Sequence, residues 1–163
     1  MPAFQPSRVT TRDVAVGSGV SPGEMSARVE TCDVCIVGAG LAGLNALFVA
    51  SRYLSRDQKV ILVDRRDRVG GMWVDTYPYV RLHQPHPMFT AGNIKWTLGQ
   101  DRSYLATKGE VLDHFEHCLH VIKQRVQVEE RLGWVMESHD ETDGSVRITC
   151  RSSEGQLRVV EAK

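Results

Sequence analysis

The pattern of hydrophobic residues between positions 32 and 64 predicts a strand, a helix and a second strand, in that order. Residues 32–37 are mostly apolar and β-branched, which predicts a short buried strand. Apolar side chains then recur at helical spacing, at Leu41, Leu44, Leu47 and Phe48. This spacing predicts a helix to about residue 55. Residues 59–64 (KVILVD) form a continuous apolar run, typical of a strand that is buried on both faces.

An irregular segment and a second helix follow. Residues 74–103 hold three prolines, two glycines and little sustained period, so we predict a long ordered loop with one short helix. Loops of that length usually serve a site. Thr107 and Glu110 form a capping box, which predicts the start of an amphipathic helix that runs to about Arg125.

Short strands complete the pattern. They are predicted near residues 126–130, 133–138, 145–151 and 156–162. Turn residues at 143–144 and 153–155 separate the last three, and the alternation of apolar and polar residues predicts a β-meander. The predicted fold class is therefore α/β, with a Rossmann-like parallel sheet and a β-meander.

Composition adds limits to this fold prediction. The 163 residues carry 20 Lys and Arg against 20 Asp and Glu, so the net charge of zero gives no general attraction for nucleic acid or an anionic membrane. The apolar run at 35–50 is shorter than the roughly 20 residues of a membrane span. Residues 1–30 are polar and rich in Ser, Thr, Gly and Pro, which predicts a flexible arm without a signal peptide, before one domain at 31–163. We expect a cytoplasmic protein with reduced cysteines.

The candidate chemistry begins with a glycine fingerprint at residues 38–43, GAGLAG. It leaves a predicted strand and opens a predicted helix, which is the context of a dinucleotide-binding turn. Gly38 permits the tight turn, Gly40 permits close approach of a diphosphate, and Gly43 permits close packing of helix on strand. Asp64 follows about 20 residues later, where a carboxylate binds ribose hydroxyls and repels the 2′-phosphate of NADP. Glycines that only pack the helix on the sheet are the alternative.

Two further segments carry a family resemblance. Residues 64–73 (DRRDRVGGMW) and 77–85 (YPYVRLHQP) resemble flavin-containing monooxygenases and the related Baeyer–Villiger and N-hydroxylating enzymes. The resemblance covers residues 32–163, with its specific motifs between 36 and 85. It implies an FAD-binding domain of the glutathione-reductase type. A plain turn at the glycine pair and a packing role for Trp73 are the alternative interpretations.

The resemblance also implies site residues. The FAD diphosphate would lie on the fingerprint residues Gly38, Ala39, Gly40, Leu41, Ala42 and Gly43. Asp64 would bind the ribose and Arg65 would lie beside the adenine, which Leu132 would contact through its backbone. The flavin end would be flanked by Gly71, Met72, Trp73, His83 and Gln84. His83 stands where the family has an asparagine, so a backbone-bound loop histidine is an equal alternative. No catalytic residue and no metal ligand is assigned.

The resemblance implies a reaction in which NADPH reduces FAD and O₂ then forms a C4a-hydroperoxide that oxygenates a small substrate. No second glycine fingerprint follows Gly43, so an NADPH site and the closing strand of the sheet are not found in these residues. We therefore expect an FAD-binding part that needs a C-terminal half or a partner chain for full turnover. An NAD-binding Rossmann protein and a catalytically silent binding module remain alternatives.

Two histidine and cysteine patterns are expected to be structural. Cys32 and Cys35 have CxxC spacing, but residues three apart on one strand point to opposite faces, so no redox or metal role is expected. His114, His117 and His120 are expected on a half-exposed helix edge rather than around a metal ion.

Overall fold

The structure is a computed structural model that describes residues 28–163. Its strands are β1 Arg28–Cys32, β2 Val34–Val37, β3 Lys59–Asp64, β4 Gln127–Leu132, β5 Trp134–Thr142, β6 Ser145–Ser152 and β7 Leu157–Ala162. Its α-helices are α1 Leu41–Tyr53 and α2 Lys108–Lys123. Two short 3-10 helices lie between β3 and α2, at Gly71–Val74 and His86–Met88.

The strands form two sheets. Strands β2, β3 and β4 make a parallel sheet in the order β2-β3-β4, and β1, β7, β6 and β5 make a second sheet in that order. The β5-β6-β7 meander is antiparallel, and β1 pairs with β7 in parallel. The predicted α/β class with a Rossmann-like parallel sheet and a meander is confirmed. The first of the four late strands, β4, belongs to the parallel sheet rather than to the meander.

The alternating direction of the side chains along β3 explains why hydrophobic clusters cover both faces of the parallel sheet. Val60 and Leu62 pack in one hydrophobic cluster with both helices, whereas Ile61 and Val63 pack in another with the meander. Successive strand residues point to opposite faces, so this strand is covered on both sides. The continuous apolar run at 59–64 follows from that burial.

The chain bends at Asp33, where the sequence pattern predicts an unbroken strand. β1 and β2 lie in different sheets on either side of this bend. The Asp33 carboxylate accepts a hydrogen bond of 2.8 Å from the Lys59 backbone N–H, and the Asp33 N–H donates to the Lys59 carbonyl at 2.9 Å. Strand β2 confirms residues 34–37 of the strand predicted at 32–37, whereas Cys32 ends β1 and the sequence pattern does not show the bend between them.

β1 begins at Arg28, so residues 28–30 of the predicted arm belong to a sheet. The remainder of that prediction, residues 1–27, lies outside the described residues. The bend also overturns the expectation that Cys32 and Cys35 point apart. Both pack against the meander-side cluster. The interaction between the two thiols lowers the pKa of Cys32 and raises that of Cys35.

Helix α2 begins with the predicted capping box. The Glu110 carboxylate accepts from the Thr107 N–H at 2.7 Å, and the Glu110 N–H donates to the Thr107 hydroxyl at 3.4 Å. The buried face of the helix consists of Val111, Leu112, His114, Phe115, Cys118, Leu119 and Ile122. Within residues 28–163, no helix has the length and apolar character to cross a membrane.

His114 is a core residue, which corrects the expectation of a half-exposed position. Its side chain is only 3% exposed and stacks on Trp96 with ring centroids 3.9 Å apart. Its Nε2 lies 2.8 Å from the Thr90 hydroxyl. Burial, together with the charges of His117 and His86, lowers the pKa of His114 to about 4.

Acid should therefore destabilise the protein through His114. Between about pH 6.5 and about pH 4, His114 is protonated in the unfolded chain but stays neutral in the folded protein. As the pH falls through this range, the free energy of unfolding should therefore decrease by about 1.4 kcal/mol per pH unit because of this group. His114→Gln should flatten the pH dependence in that window, measured by urea unfolding. His120→Gln, on the exposed side of the same helix, should leave it unchanged. Equal slopes in both variants would contradict this assignment.

Candidate dinucleotide-binding site

The turn between β2 and α1 leads directly into the N-terminus of the helix. Gly38 has φ +106°, a conformation that favours glycine, and its N–H donates to the Val63 carbonyl at 2.7 Å. Gly40 is the N-cap of α1, offers no side-chain cap, and no acidic residue lies in the first helical turn. Among residues 28–163, no side-chain acceptor caps the first amides of the helix, which is the arrangement that binds anions.

Asp64 is directed at this turn. Its carboxylate is 5% exposed at the carboxyl end of β3, and Oδ2 accepts a hydrogen bond of 2.6 Å from the Ala39 N–H. Oδ1 accepts from the Arg66 N–H at 2.8 Å. A carboxylate has about four acceptor positions, so these two bonds leave capacity for ribose hydroxyls.

Arg66, which the sequence motifs did not single out, secures the loop after Asp64. Its guanidinium lies 3.8 Å from Asp64 Oδ1 and also hydrogen-bonds the Asp75 carboxylate. This contact lowers the pKa of Asp75 and raises that of Arg66. The Arg66 carbonyl accepts from the Gly133 N–H at 2.7 Å, so the loop is tied to the start of β5.

A cavity of about 300 Å³ lies between the carboxyl ends of the parallel strands and the meander. The predicted residues Gly38, Asp64 and Arg65 line it, as does Val37. Its other walls are Arg66 and three consecutive meander residues, Trp134, Val135 and Met136. No motif marks these last three, because they are ordinary strand residues and only the packing of the two sheets brings them to the site.

The glycine pair at 70–71 packs directly on the fingerprint. A Cβ on Gly71 would lie 2.7 Å from the Gly40 Cα, and a Cβ on Gly40 would lie 3.2 Å from the Gly71 Cα. The Gly70 N–H donates to the Ala39 carbonyl at 2.9 Å. The missing Cβ of Gly40 therefore gives room to the backbone of Gly71. At Gly43 a Cβ would meet the Gly38 carbonyl at 1.7 Å, as expected for close packing of helix on strand.

The residues predicted at the flavin end are less closely grouped. Met72 is 70% exposed and Trp73 is half-buried, with its ring 5.7 Å from that of Phe89. His83 is exposed and Gln84 is half-buried. Neither shares a hydrogen bond with the fingerprint in the part of the chain that the structure describes, so their flavin contacts remain predictions.

The other predicted residues lie around the turn. Leu41 is half-buried and Ala42 is exposed in the first turn of α1. Leu132 ends β4 directly opposite Asp64 in the parallel register. Leu132 lines a different cavity of about 590 Å³, between the loop at Val69 and α2, rather than the one that contains Gly38.

Comparison with known proteins agrees with this geometry. Residues 36–102 match the family of NAD(P)-binding Rossmann-like domains. An uncharacterised protein of Mycobacterium tuberculosis is 30% identical over 108 residues, which are 60% of this chain and 19% of that protein. The flavin-containing monooxygenase FMO GS-OX5 of Arabidopsis thaliana is 40% identical over 62 residues, 37% of this chain and 12% of that enzyme.

Solved structures decide the fold. A bacillithiol disulfide reductase from Bacillus cereus superposes with a TM-score of 0.65 at 13% identity, over 82% of this chain and 38% of that one. A flavin-containing monooxygenase from Stenotrophomonas maltophilia superposes with a TM-score of 0.62 at 16% identity, over 80% of this chain and 36% of that one. The chain has the Rossmann-like fold that both of these enzymes contain. The resemblance inferred from the sequence is thus confirmed, and the chain spans less than two-fifths of the length of each of these four proteins.

The contact between Gly71 and Gly40 is testable by adding one methyl group. Gly71→Ala should lower the free energy of unfolding by about 1–3 kcal/mol beyond the cost of its positive φ, because the added Cβ would overlap the Gly40 backbone. Gly155→Ala is the matched control, since Gly155 also has positive φ but has nothing within 4 Å of the added Cβ. Denaturant unfolding measures both variants. Equal losses would show that the backbone contact does not constrain the turn.

Proposed function

We propose that this chain is the FAD-binding part of a flavin-dependent monooxygenase-like oxidoreductase. One observation supports this above all: the uncapped N-terminus of α1, the Asp64 carboxylate and an open cavity meet at the same corner. A helix N-terminus suits a diphosphate, and an acid at the end of the next strand suits a ribose. Open α/β sheets bind ligands at the carboxyl ends of their strands.

The residues present fit an adenine dinucleotide. In the proposed complex the amides of residues 41–43 hold the diphosphate, and Asp64 accepts hydrogen bonds from the ribose hydroxyls. The buried Asp64 would disfavour a 2′-phosphate at this position by charge repulsion. Bound flavin would supply electron transfer between a nicotinamide and oxygen, and the protein would orient and enclose it.

NADPH oxidation and substrate oxygenation belong to this proposal at the level of a whole protein. The chain covers 36% of the Stenotrophomonas flavin-containing monooxygenase that it superposes on. We therefore propose that NADPH binding comes from a C-terminal half or a partner chain, and that this part alone does not turn over. Steady NADPH oxidation by the isolated chain with FAD would contradict this part of the proposal.

A second candidate is an NAD-binding Rossmann protein. The match of residues 36–102 to NAD(P)-binding Rossmann-like domains supports this candidate. The same turn and acid bind either nucleotide, so a binding measurement is needed to separate the two. Competitive titration separates the two candidates. Tighter binding of FAD than of NADH supports the flavin proposal, and the reverse order would replace it.

Ala42 offers a test that leaves the fold intact. Ala42→Glu places a negative charge in the exposed first turn of α1, where it should repel a diphosphate and weaken FAD binding by about tenfold or more. The same charge interacts favourably with the helix dipole, so stability should stay equal or rise. FAD retained after desalting, read by its visible absorbance, measures binding.

Ala46→Glu is the matched control for this experiment. Ala46 is exposed on the same helix, one turn further from the glycine fingerprint, and the variant has the same net charge as Ala42→Glu. It should bind FAD like the unmodified chain. Equal FAD binding by both variants would contradict a diphosphate at the N-terminus of α1.

A further inference from the structure

Trp134 lies at the candidate nucleotide cavity without belonging to any recognised motif. Trp134 is half-buried at the start of β5 and lines the same cavity of about 300 Å³ as Gly38, Asp64 and Arg65. Val135 and Met136 continue this wall and are both exposed. The meander thus contributes the larger apolar part of the cavity wall, while the parallel sheet contributes its polar part.

An ion-paired arginine holds the Trp134 ring in place. The Arg158 guanidinium lies 4.5 Å from the ring centroid, within the range of a cation–π contact. Arg158 hydrogen-bonds Glu30, which is 8% exposed, and the second oxygen of Glu30 accepts from Arg131 Nε at 2.8 Å. Strands β1, β4 and β7 therefore fix the guanidinium that covers the ring.

We propose that Trp134 forms the aromatic wall against the adenine ring of the bound dinucleotide, and that Arg158 is the positioning residue for Trp134. This inference rests on the proposed function. With the diphosphate at the Gly38 turn and the ribose at Asp64, the base must occupy the remainder of the same cavity. The remaining lining residues are Val37, Arg65, Arg66 and the three meander residues, and among these Trp134 is the only aromatic residue. Aromatic side chains bind nucleobases through their π-faces.

The test uses ADP, which carries the adenosine and diphosphate without the flavin. The chain has three tryptophans, so Trp73→Phe/Trp96→Phe leaves Trp134 as the only one. Titration with ADP should change the Trp134 emission and saturate at the Kd measured independently by calorimetry. Inorganic pyrophosphate should bind without this change, because it has no base to reach the ring.

Affinity measurements on variants test the energetic role. Trp134→Ala should weaken ADP binding by about tenfold, in the range of aromatic–base stacking, and leave pyrophosphate binding unchanged. Trp134→Phe should restore most of the ADP affinity. Leu157→Ala, at an exposed position next to Arg158 in β7, is the control and should match the unmodified chain.

A double-mutant cycle tests the role of Arg158. Arg158→Met keeps the apolar stem and removes the charge, so it should weaken ADP binding several-fold when Trp134 is present. In the Trp134→Ala background the same change should have no further effect on ADP affinity. Equal effects in both backgrounds would show that Arg158 does not act through Trp134.

The outcomes separate this inference from the proposed function. If ADP and FAD bind while Trp134 emission and Trp134→Ala affinity stay unchanged, the adenine contact is wrong and the flavin proposal stands. If neither ADP nor FAD binds the unmodified chain, both are overturned. Quenching of the Trp134 emission by ADP, together with a loss of ADP affinity in Trp134→Ala but not in Leu157→Ala, supports the inference.

Discussion

The hydrogen bond from the Ala39 N–H to the Asp64 carboxylate is the contact on which the candidate site depends. It joins the turn after β2 to the end of β3, so the first amides of α1 and the acid occupy one corner. The close approach of Gly71 to Gly40 secures the same turn from the other side. A side chain at either glycine would displace backbone rather than a flexible group, which explains why two separate glycine motifs occur in one small unit. The geometry of the site therefore depends mainly on contacts between backbone segments, and to a lesser degree on side-chain chemistry.

Local signals were sufficient for the parallel sheet and its helices. The run at 59–64 is apolar at successive positions because β3 is covered on both faces, and the capping box at Thr107 marks the start of α2. The fingerprint, the acid and the glycine pair were predicted to act together, and the structure does bring them together. This was possible because each motif depends on the backbone conformation of a few neighbouring residues.

Features that depend on packing between distant segments could not be predicted in this way. The bend at Asp33 divides an apolar run that looks continuous, and its cause is a pair of hydrogen bonds to Lys59, which is distant in sequence. His114 has the helical position of a half-exposed residue, but the loop that carries Trp96 covers it. Trp134 reaches the cavity because the meander folds over the strand ends, and neither its neighbours nor its spacing from Asp64 indicates this. In each case the deciding partner comes from another part of the chain.

The most direct measurement is a crystal structure of the chain with FAD. The account predicts diphosphate oxygens about 3 Å from the first backbone N–H groups of α1, and the adenosine ribose beside Asp64. FAD in the larger cavity between Val69 and α2, or a glycine turn that makes no contact with phosphate, would contradict it.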